Sequence, residues 1–258
     1  MKVTNLRANV VLILALFLSA CSGGEPSEIT DSRGVEMVLV PEGEFTMGSN
    51  DGDDHEQPVH KVFLDAYYID KYEVTNTLYK ACVDAGVCDR PSIATRANYY
   101  DDPQYAQHPV VHVDWNMANE YCEWRGARLP TEAEWEKAAR GTDGRTYPWG
   151  EEIDGTFANY DNNVGDSTPV GGYENGVSPY GAYDMAGSAF EWVADWHDAS
   201  YYASSPGANP TGPDSGDFRV VRGGSWTSKF SVVRSAYRLR YDPTDTNYTI
   251  GFRCAFSP

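Results

Sequence analysis

The segment between Gly141 and Gly216 is the strongest constraint on the fold, because it consists largely of Gly, Asn, Asp, Tyr and Pro and has little hydrophobic periodicity. Such a segment cannot supply the long amphipathic helices of a bundle. The whole chain has the same bias, with 24 Gly, 15 Pro and 18 Tyr. Hydrophobic residues still make up 41% of the 258 residues, which is enough for a core. We therefore expect a turn-rich globular domain in which this long loop segment has a functional or ion-binding role.

The chain is strongly acidic, with a formal net charge of −18. A protein that binds nucleic acid needs a basic face to meet the phosphates, so this charge argues against a nucleic-acid partner. Cations and neutral or basic ligands are compatible with it. No P-loop, dinucleotide fingerprint or Gly-x-Ser-x-Gly elbow occurs in the sequence.

The N-terminus has the layout of an export signal. Lys2 and Arg7 precede an apolar run over residues 10–18, which is too short to span a membrane. The run closes in Leu18-Ser19-Ala20-Cys21, which resembles the lipobox of bacterial lipoproteins. The resemblance implies that the signal is cut before Cys21 and that this residue carries lipid. An ordinary secretory signal is the alternative interpretation.

Three regions follow from this interpretation: a signal peptide over residues 1–20, a lipidated Cys and tether over residues 21–34, and one domain over residues 35–258. Ser22 follows the lipidated Cys, where an Asp retention signal is absent. We therefore expect a lipid-anchored protein of the cell envelope, with the outer membrane favoured.

Export places the remaining four cysteines in an oxidising compartment, where an even number favours disulfides. Cys82 and Cys88 enclose five residues, and Gly86 can supply the turn that so small a loop needs. Pairing them leaves Cys122 with Cys254, which would tie the C-terminus to the middle of the chain. A metal cluster is the weaker alternative, because no Cys-x-x-Cys spacing occurs.

Regular structure is predicted on both sides of the long loop segment. Capping and stop signals predict helices from Thr75 to Gly86, from Asp114 to Gly126 and from Thr131 to Gly141. The third has a capping box, since Glu134 follows Thr131 by three residues. Strands are predicted at residues 37–40, 44–47, 61–68, 218–222 and 250–255.

Several segments, taken in order, resemble the formylglycine-generating enzyme (sulfatase-modifying factor) family. The resemblance covers Met37 to the C-terminus and implies an α+β domain with little regular structure, distantly similar to C-type lectins. The segments include Tyr72-Glu73-Val74-Thr75-Asn76, Arg128-Leu129-Pro130-Thr131-Glu132-Ala133-Glu134-Trp135-Glu136, Tyr147-Pro148-Trp149-Gly150, Arg222-Gly223-Gly224-Ser225-Trp226 and Gly251-Phe252-Arg253-Cys254.

Catalytic members of this family bind copper(I) between two cysteines and use oxygen to convert a substrate Cys into formylglycine. In this chain Ser228 and Val233 occupy the two cysteine positions. Serine is a poor ligand for copper(I), and valine is none. The family also has a bridging pair that aligns with Cys122 and Cys254, which supports the pairing proposed above. Copper binding and formylglycine generation are therefore not expected.

The resemblance further implies two calcium sites. One would use the side chains of Asp184 and Glu191 with the carbonyls of Gly187 and Ala189, a set that suits a hard cation. The other would start at Asn159 and the carbonyl of Tyr160, with an acidic ligand between Asp161 and Asp166. The alternative interpretation of Asp184 and Glu191 is helix capping and surface solvation.

The function predicted from these observations is non-catalytic binding of a peptide, protein or glycan on a scaffold stabilised by calcium and disulfides. The family holds its extended peptide substrate near the Gly-Gly-Ser segment, so the expected ligand-binding residues are Arg222, Ser225, Trp226, Ser228 and Arg234. Two alternatives stay open. One is an oxidoreductase of the formylglycine-generating or a related metal- and oxygen-dependent class acting on a protein, and the other is a glycan binder that uses exposed calcium.

Overall fold

Small β-sheets and short α-helices organise the part of the chain that the computed structural model describes, residues 25–92 and 98–258. The expected signal peptide and Cys21 lie outside these residues. Within them, no helix is long and apolar enough to cross a membrane.

The strands form three sheets. The first has the order β1-β2-β5-β10 and is antiparallel, the second is the antiparallel pair β3-β4, and the third has the order β8-β7-β6-β9 with β6 and β9 parallel. Their bounds are β1 Glu28–Thr30, β2 Glu36–Val40, β3 Gly43–Met47, β4 His60–Leu64, β5 Tyr67–Asp70, β6 Phe190–Trp196, β7 Arg219–Arg222, β8 Leu239–Tyr241, β9 Ile250–Phe252 and β10 Ala255–Phe256.

The three predicted helices are confirmed, and their caps explain where they begin. Helix α1 spans Asn76–Asp84, α2 spans Trp115–Trp124 and α3 spans Glu132–Arg140. The side chains of Thr75, Asp114 and Thr131 each accept a hydrogen bond from a backbone amide of the first turn. At α3 the capping box is complete, since Glu134 also accepts from the amide of Thr131 at 2.8 Å.

Helix α3 lies in the centre of the domain, and all nine of its residues are buried. Trp135 and the alanines of the helix pack against apolar residues of β2, β3, β4 and β5. Its charged side chains are buried as well and must therefore be paired. Glu132 and Glu136 both bind the guanidinium of Arg222, at 2.9 and 2.7 Å. The charged residues of α3 are thus accommodated in the core by ion pairs with residues that are distant in sequence, such as Arg222 of β7.

Both disulfides predicted from the sequence are present. Cys82 pairs with Cys88 across six positions of the chain, and Cys122 pairs with Cys254 across 132. The second bond joins α2 to the segment between β9 and β10. It lies in a second apolar cluster, which includes Tyr79, Tyr121 and Phe252.

Three features differ from the sequence prediction. The segment assigned to the tether contains β1, which pairs with β2, so the ordered fold begins before Val35. The strand predicted at residues 61–68 is divided into β4 and β5, which belong to different sheets. Strand β6 lies inside the segment predicted as loop. The strand is buried along most of its length, including Glu191 and Asp195. It therefore does not show the regular alternation of apolar and polar residues by which a half-buried strand is predicted from sequence.

Candidate functional site

The turn after β7 leads into Ser228 and Val233, the two residues that the family resemblance assigns to the copper site. Gly223 and Gly224 both have positive φ, and a Cβ on Gly224 would lie 2.6 Å from a methyl of Val233. Only glycine combines this backbone conformation with so close an approach. The glycine turn thereby packs directly against Val233.

Three hydroxyl side chains follow this turn. The Ser225 Oγ lies 3.0 Å from the Thr227 Oγ1 and 3.2 Å from the Ser228 Oγ. The Ser228 Oγ also accepts a hydrogen bond from the Ser225 amide at 3.0 Å. Val233 is fully buried in an apolar cluster with Tyr147 and Ala186. The two positions that the resemblance assigns to copper thus carry a hydroxyl group and a buried valine, neither of which is a soft ligand for copper(I).

No free thiol among residues 25–92 and 98–258 can replace the missing pair, because every cysteine there is in a disulfide. The same residues contain no group of three or more His, Cys, Asp and Glu side chains arranged to hold a metal ion. Among these described residues there is neither a free cysteine pair that could bind copper(I) nor a His and carboxylate triad that could bind iron.

The expected ligand-binding residues differ widely in exposure. Arg222 is fully buried, and its guanidinium donates hydrogen bonds to Glu132, to Glu136 and to the carbonyls of Ser235 and Ala236. Its assignment to a binding groove is corrected here, since a side chain sealed inside the core cannot touch a ligand.

Ser225 and Trp226 are buried as well, and Trp226 packs in an apolar cluster with Tyr99 and Val111. Arg234 is half-buried and makes a two-fold ion pair with Glu56, at 2.9 and 2.7 Å. Ser228 is half-buried, as is Thr227 beside it in the hydroxyl cluster. Burial and internal bonds thus leave little of these side chains exposed to a ligand.

Two exposed aromatic side chains in or near this segment were not among the residues predicted from the sequence. Phe230 is 59% exposed and follows Ser228 by two residues, and Tyr248 is 43% exposed with its ring 6.1 Å from that of Trp226. A second loop borders them, since the amides of Asp161 and Asn162 donate to the carbonyls of Ser228 and Trp226 at 2.8 and 2.7 Å. We call Phe230, Tyr248 and the adjoining Lys229 the aromatic rim. Exposed aromatics beside a rigid turn are typical of a contact surface.

The residues of the Asp184 calcium prediction come together with a third carboxylate, Glu73. Burial raises the pKa of the Asp184 carboxyl to about 6, against the lowering effect of the Gly171 amide and Arg253. Burial and the charges of Asp184 and Glu191 raise the pKa of Glu73 well above its usual range. Both oxygens of Glu191 already accept hydrogen bonds, from Arg253 at 2.7 and 2.8 Å and from the Trp135 indole at 2.7 Å. In this arrangement Glu191 is held by Arg253 and does not fit as a calcium ligand.

The loop at Asn159 fits a hard cation better. Asn159 is buried, and its Nδ2 donates to the carbonyl of Asp166 at 2.8 Å, while its Oδ1 has no hydrogen-bond partner in the structure. An unsatisfied buried acceptor costs about 1–3 kcal/mol, which a cation at that oxygen would remove. The Asn159 carbonyl accepts from the Ser188 amide at 2.9 Å, so this loop and the turn around Gly187 are already linked.

Comparison with known proteins now decides the family. The family model described as sulfatase-modifying factor enzyme 1-like domain matches residues 23–258. The chain belongs to the sulfatase-modifying factor family. This confirms the resemblance drawn from the sequence, and the α+β fold with little regular structure is the family's fold.

Relatives of this sulfatase-modifying factor chain carry different names. The formylglycine-generating enzyme of Streptomyces coelicolor is 35% identical, and the match covers 92% of this chain and 94% of that protein. The inactive Cα-formylglycine-generating enzyme 2 of Bos taurus is 32% identical over 88% of this chain and 90% of its own. A serine/threonine-protein kinase pkn1 of Chlamydia caviae is 40% identical over 85% of this chain, but the match spans 38% of that protein.

Two solved structures share the sulfatase-modifying factor fold over most of the chain. PvdO from Pseudomonas aeruginosa has a TM-score of 0.77 at 28% identity, covering 92% of this chain and 100% of that one. Variable protein 1 of Treponema denticola has a TM-score of 0.75 at 25% identity, with coverage of 90% and 100%. The fold is therefore shared by proteins of several names.

Proposed function

We propose that this chain is a non-catalytic member of its family that binds an extended peptide or protein segment at the aromatic rim. The observation that carries the proposal concerns Ser228 and Val233, the residues that the family resemblance assigns to the two copper-binding positions: the first is a serine in a hydroxyl network and the second a buried valine. The intact scaffold around an emptied catalytic position supports a binding role, and a bovine relative whose name calls it inactive is compatible with it.

The envelope setting belongs to the same proposal. We place the protein on the cell envelope through a lipid on Cys21, with the outer membrane favoured, on the basis of the lipobox-like sequence. A peptide or protein partner would then be another envelope component, and a basic segment would suit the acidic chain. The mass of the mature N-terminal peptide, with or without attached acyl chains, tests the anchor.

The purified chain is expected neither to retain copper(I) nor to convert cysteine into formylglycine. Ser228→Cys combined with Val233→Cys is expected to introduce tight copper(I) binding, because two thiolates then stand at the ligand positions. Copper content by mass spectrometry after desalting checks both statements, and Ser228→Cys alone is the matched control with one thiol. Wild-type protein that holds one copper per chain and oxidises a cysteine peptide would establish the oxidoreductase alternative instead.

Removing the aromatic rim should weaken peptide binding without unfolding the domain. Phe230→Ala with Tyr248→Ala deletes two exposed rings, and exposed aromatic anchors are worth about 1–3 kcal/mol each, so a loss of at least tenfold is expected. Binding to an array of random twelve-residue peptides, with retained hits remeasured in solution, provides the readout. Phe63→Ala is the control, because Phe63 is an exposed phenylalanine on β4. Binding only to a glycan array, in an EDTA-sensitive manner, would replace the peptide by a sugar.

Calcium is proposed as a structural ion at Asn159 and the carbonyl of Tyr160, with an acidic ligand between Asp161 and Asp166; the carbonyl of Asp166 already accepts from the Asn159 Nδ2. The ion would supply charge and oxygen coordination that fix this loop against the turn at Gly187. The set of Asp184, Gly187, Ala189 and Glu191 stays a prediction, which requires Glu191 to exchange Arg253 for the ion.

Calcium should raise the melting temperature of the wild-type chain, and Asn159→Ala should abolish most of that increase because it removes the unsatisfied oxygen. Thermal unfolding with calcium and with EDTA measures the difference. Asn116→Ala is the control, since Asn116 is exposed on α2 and has no side-chain hydrogen bond. An equal calcium response in Asn159→Ala would move the ion elsewhere, and no response in the wild type would remove calcium from the proposal.

A further inference from the structure

The pocket around Arg238, which forms an ion pair with Glu132 of α3, is basic although the chain as a whole is acidic. Its volume is about 330 Å³, and it is lined by His55, His197, Ala199, Arg238, Leu239 and Arg240. Four of these six residues carry a positive charge or can acquire one. In a chain of net charge −18, such a concentration of cationic side chains around one cavity calls for a chemical explanation.

Arg238 is the fixed element of this pocket. It is buried, and its guanidinium binds Glu132 through two bonds of 2.7 Å and donates to the carbonyls of His55 and Asp198 at 2.7 and 3.4 Å. Because every one of these contacts lies inside the domain, Arg238 cannot swing into solvent. Its charge is held at the base of the pocket, partly offset by Glu132.

Arg240 is the arginine of this pocket whose guanidinium is exposed to solvent. It is exposed, rests its guanidinium 5.2 Å from the ring centre of Phe218, and forms no ion pair or hydrogen bond with any residue that the structure describes. The stacking contact places the guanidinium but leaves its five N–H donors unused. An arginine in this state is ready to bind an anionic oxygen.

The two histidines lie side by side on the wall. Their ring centres are 5.7 Å apart, the Nδ1 of His55 is buried without a hydrogen-bond partner, and the His197 ring makes no hydrogen bond to a described residue. Burial and the charge of Arg238 lower the pKa of His197 to about 4, with smaller contributions from His55 and Arg240 and with Glu132 acting in the opposite direction. The ring is therefore neutral near pH 7 and faces a positive field.

Nearby carboxylates do not neutralise the pocket. Asp53 lies 3.6 Å from the Nε2 of His55, at the outer edge, and more than half of its side chain is exposed. The Asp198 carboxylate accepts from the amide and hydroxyl of Ser200, both at 2.7 Å. Glu132 is shared between Arg238 and Arg222. The nitrogens without a partner among the described residues therefore belong to Arg240, to His197 and to the Nδ1 of His55.

We propose that this His–Arg pocket binds a doubly charged oxyanion, phosphate or sulfate, either free or as the monoester group of a larger ligand. Arg240 would supply the first contact, and each neutral imidazole would donate its one N–H hydrogen bond. Arg238 would supply a fixed background charge. The site is independent of the aromatic rim, which uses other residues.

Histidine resonances of the mature chain, Cys21 to Pro258, provide the test, with inorganic phosphate and sulfate as probes against sodium chloride of matched ionic strength. Saturable shifts of the His55 and His197 signals at millimolar anion are expected, together with a rise of the His197 titration midpoint by about one unit or more as the anion favours the protonated ring. Arg240→Gln is expected to weaken this binding at least tenfold. Arg33→Gln is the matched control, because Arg33 is also exposed and stacks on an aromatic ring, that of Trp124.

The arms of the experiment separate the possible results. Tighter binding of a phosphoserine peptide than of free phosphate would identify the monoester as the ligand group, and equal binding would identify the free anion. Shifts reproduced by sodium chloride, equal affinity for acetate, or unchanged phosphate binding in Arg240→Gln would each overturn the proposal.

Discussion

Replacing Cys122 and Cys254 together by alanine is expected to lower the free energy of unfolding by about 5 kcal/mol. The bond closes a loop of 132 positions, and the entropic stabilisation from a crosslink grows with the logarithm of loop length. The same relation gives about 2 kcal/mol for a loop of six positions, that of Cys82 and Cys88. Urea unfolding followed by circular dichroism measures both.

The Cys82→Ala and Cys88→Ala double variant is the matched control, because it also deletes two buried sulfur atoms and one bond. Packing losses at the two sites are similar in kind, so the difference between the variants reports the loop. Equal losses in the two variants would show that loop closure does not set the stabilisation. A larger loss from the short bond would show that the α1 end of the domain depends on its local crosslink.

Glu132→Gln is expected to cost about 3–5 kcal/mol, because it leaves two buried guanidinium groups without their shared counter-charge. Glu132 accepts from Arg222 at 2.9 Å and from Arg238 at 2.7 Å, and it is almost fully buried. Glutamine keeps the size of the side chain but adds two donors that face donors. Chemical unfolding of the variant provides the measurement, and Glu123→Gln, an exposed carboxylate on α2, should change stability by less than about 0.5 kcal/mol.

The same carboxylate predicts the direction of acid sensitivity. Burial opposes ionisation of Glu132, but Arg238 and Arg222 outweigh it and hold the pKa below its ordinary value. A depressed folded-state pKa stabilises the fold above the unfolded-state pKa, near 4.5, and this stabilisation is lost as pH falls through the lower folded value. The wild type should therefore lose stability at acid pH, and the loss should be smaller in Glu132→Gln. An identical acid profile in both proteins would show that other carboxylates control it.

Much of the fold could be predicted because its signals are local. Thr75, Asp114 and Thr131 start helices through their own side chains, and the short loop between Cys82 and Cys88 limits the possible pairings. Strand β6 could not be found in this way. Its Glu191 and Asp195 are buried because partners distant in sequence, including Arg253 and the first turn of α3, stabilise them.

The same distinction, between local sequence signals and contacts with residues distant in the chain, applies to the candidate site. The prediction that the copper ligands are missing needs only the identities of residues 228 and 233, and it stays a prediction. Arg222 was placed on the wrong side of the surface, because an arginine next to a glycine turn gives no local sign that Glu132 and Glu136 will enclose it. Phe230 and Tyr248 were missed for the converse reason. Aromatic residues are usually core, and only the packing leaves these two uncovered.

The central position of α3 bears on how members of this family are recognised. The segment from Arg128 to Glu136 is among the most distinctive parts of the resemblance, and its charged residues are internal ties. A match to that segment thus identifies the fold, because most of its residues are buried and structural. It carries no information about catalysis. The two positions that the resemblance assigns to copper, Ser228 and Val233, lie outside that segment, beyond the turn that follows β7. A match to residues 128–136 therefore assigns a chain to the family, and a proposal about its reaction has to rest on the residues at those two positions.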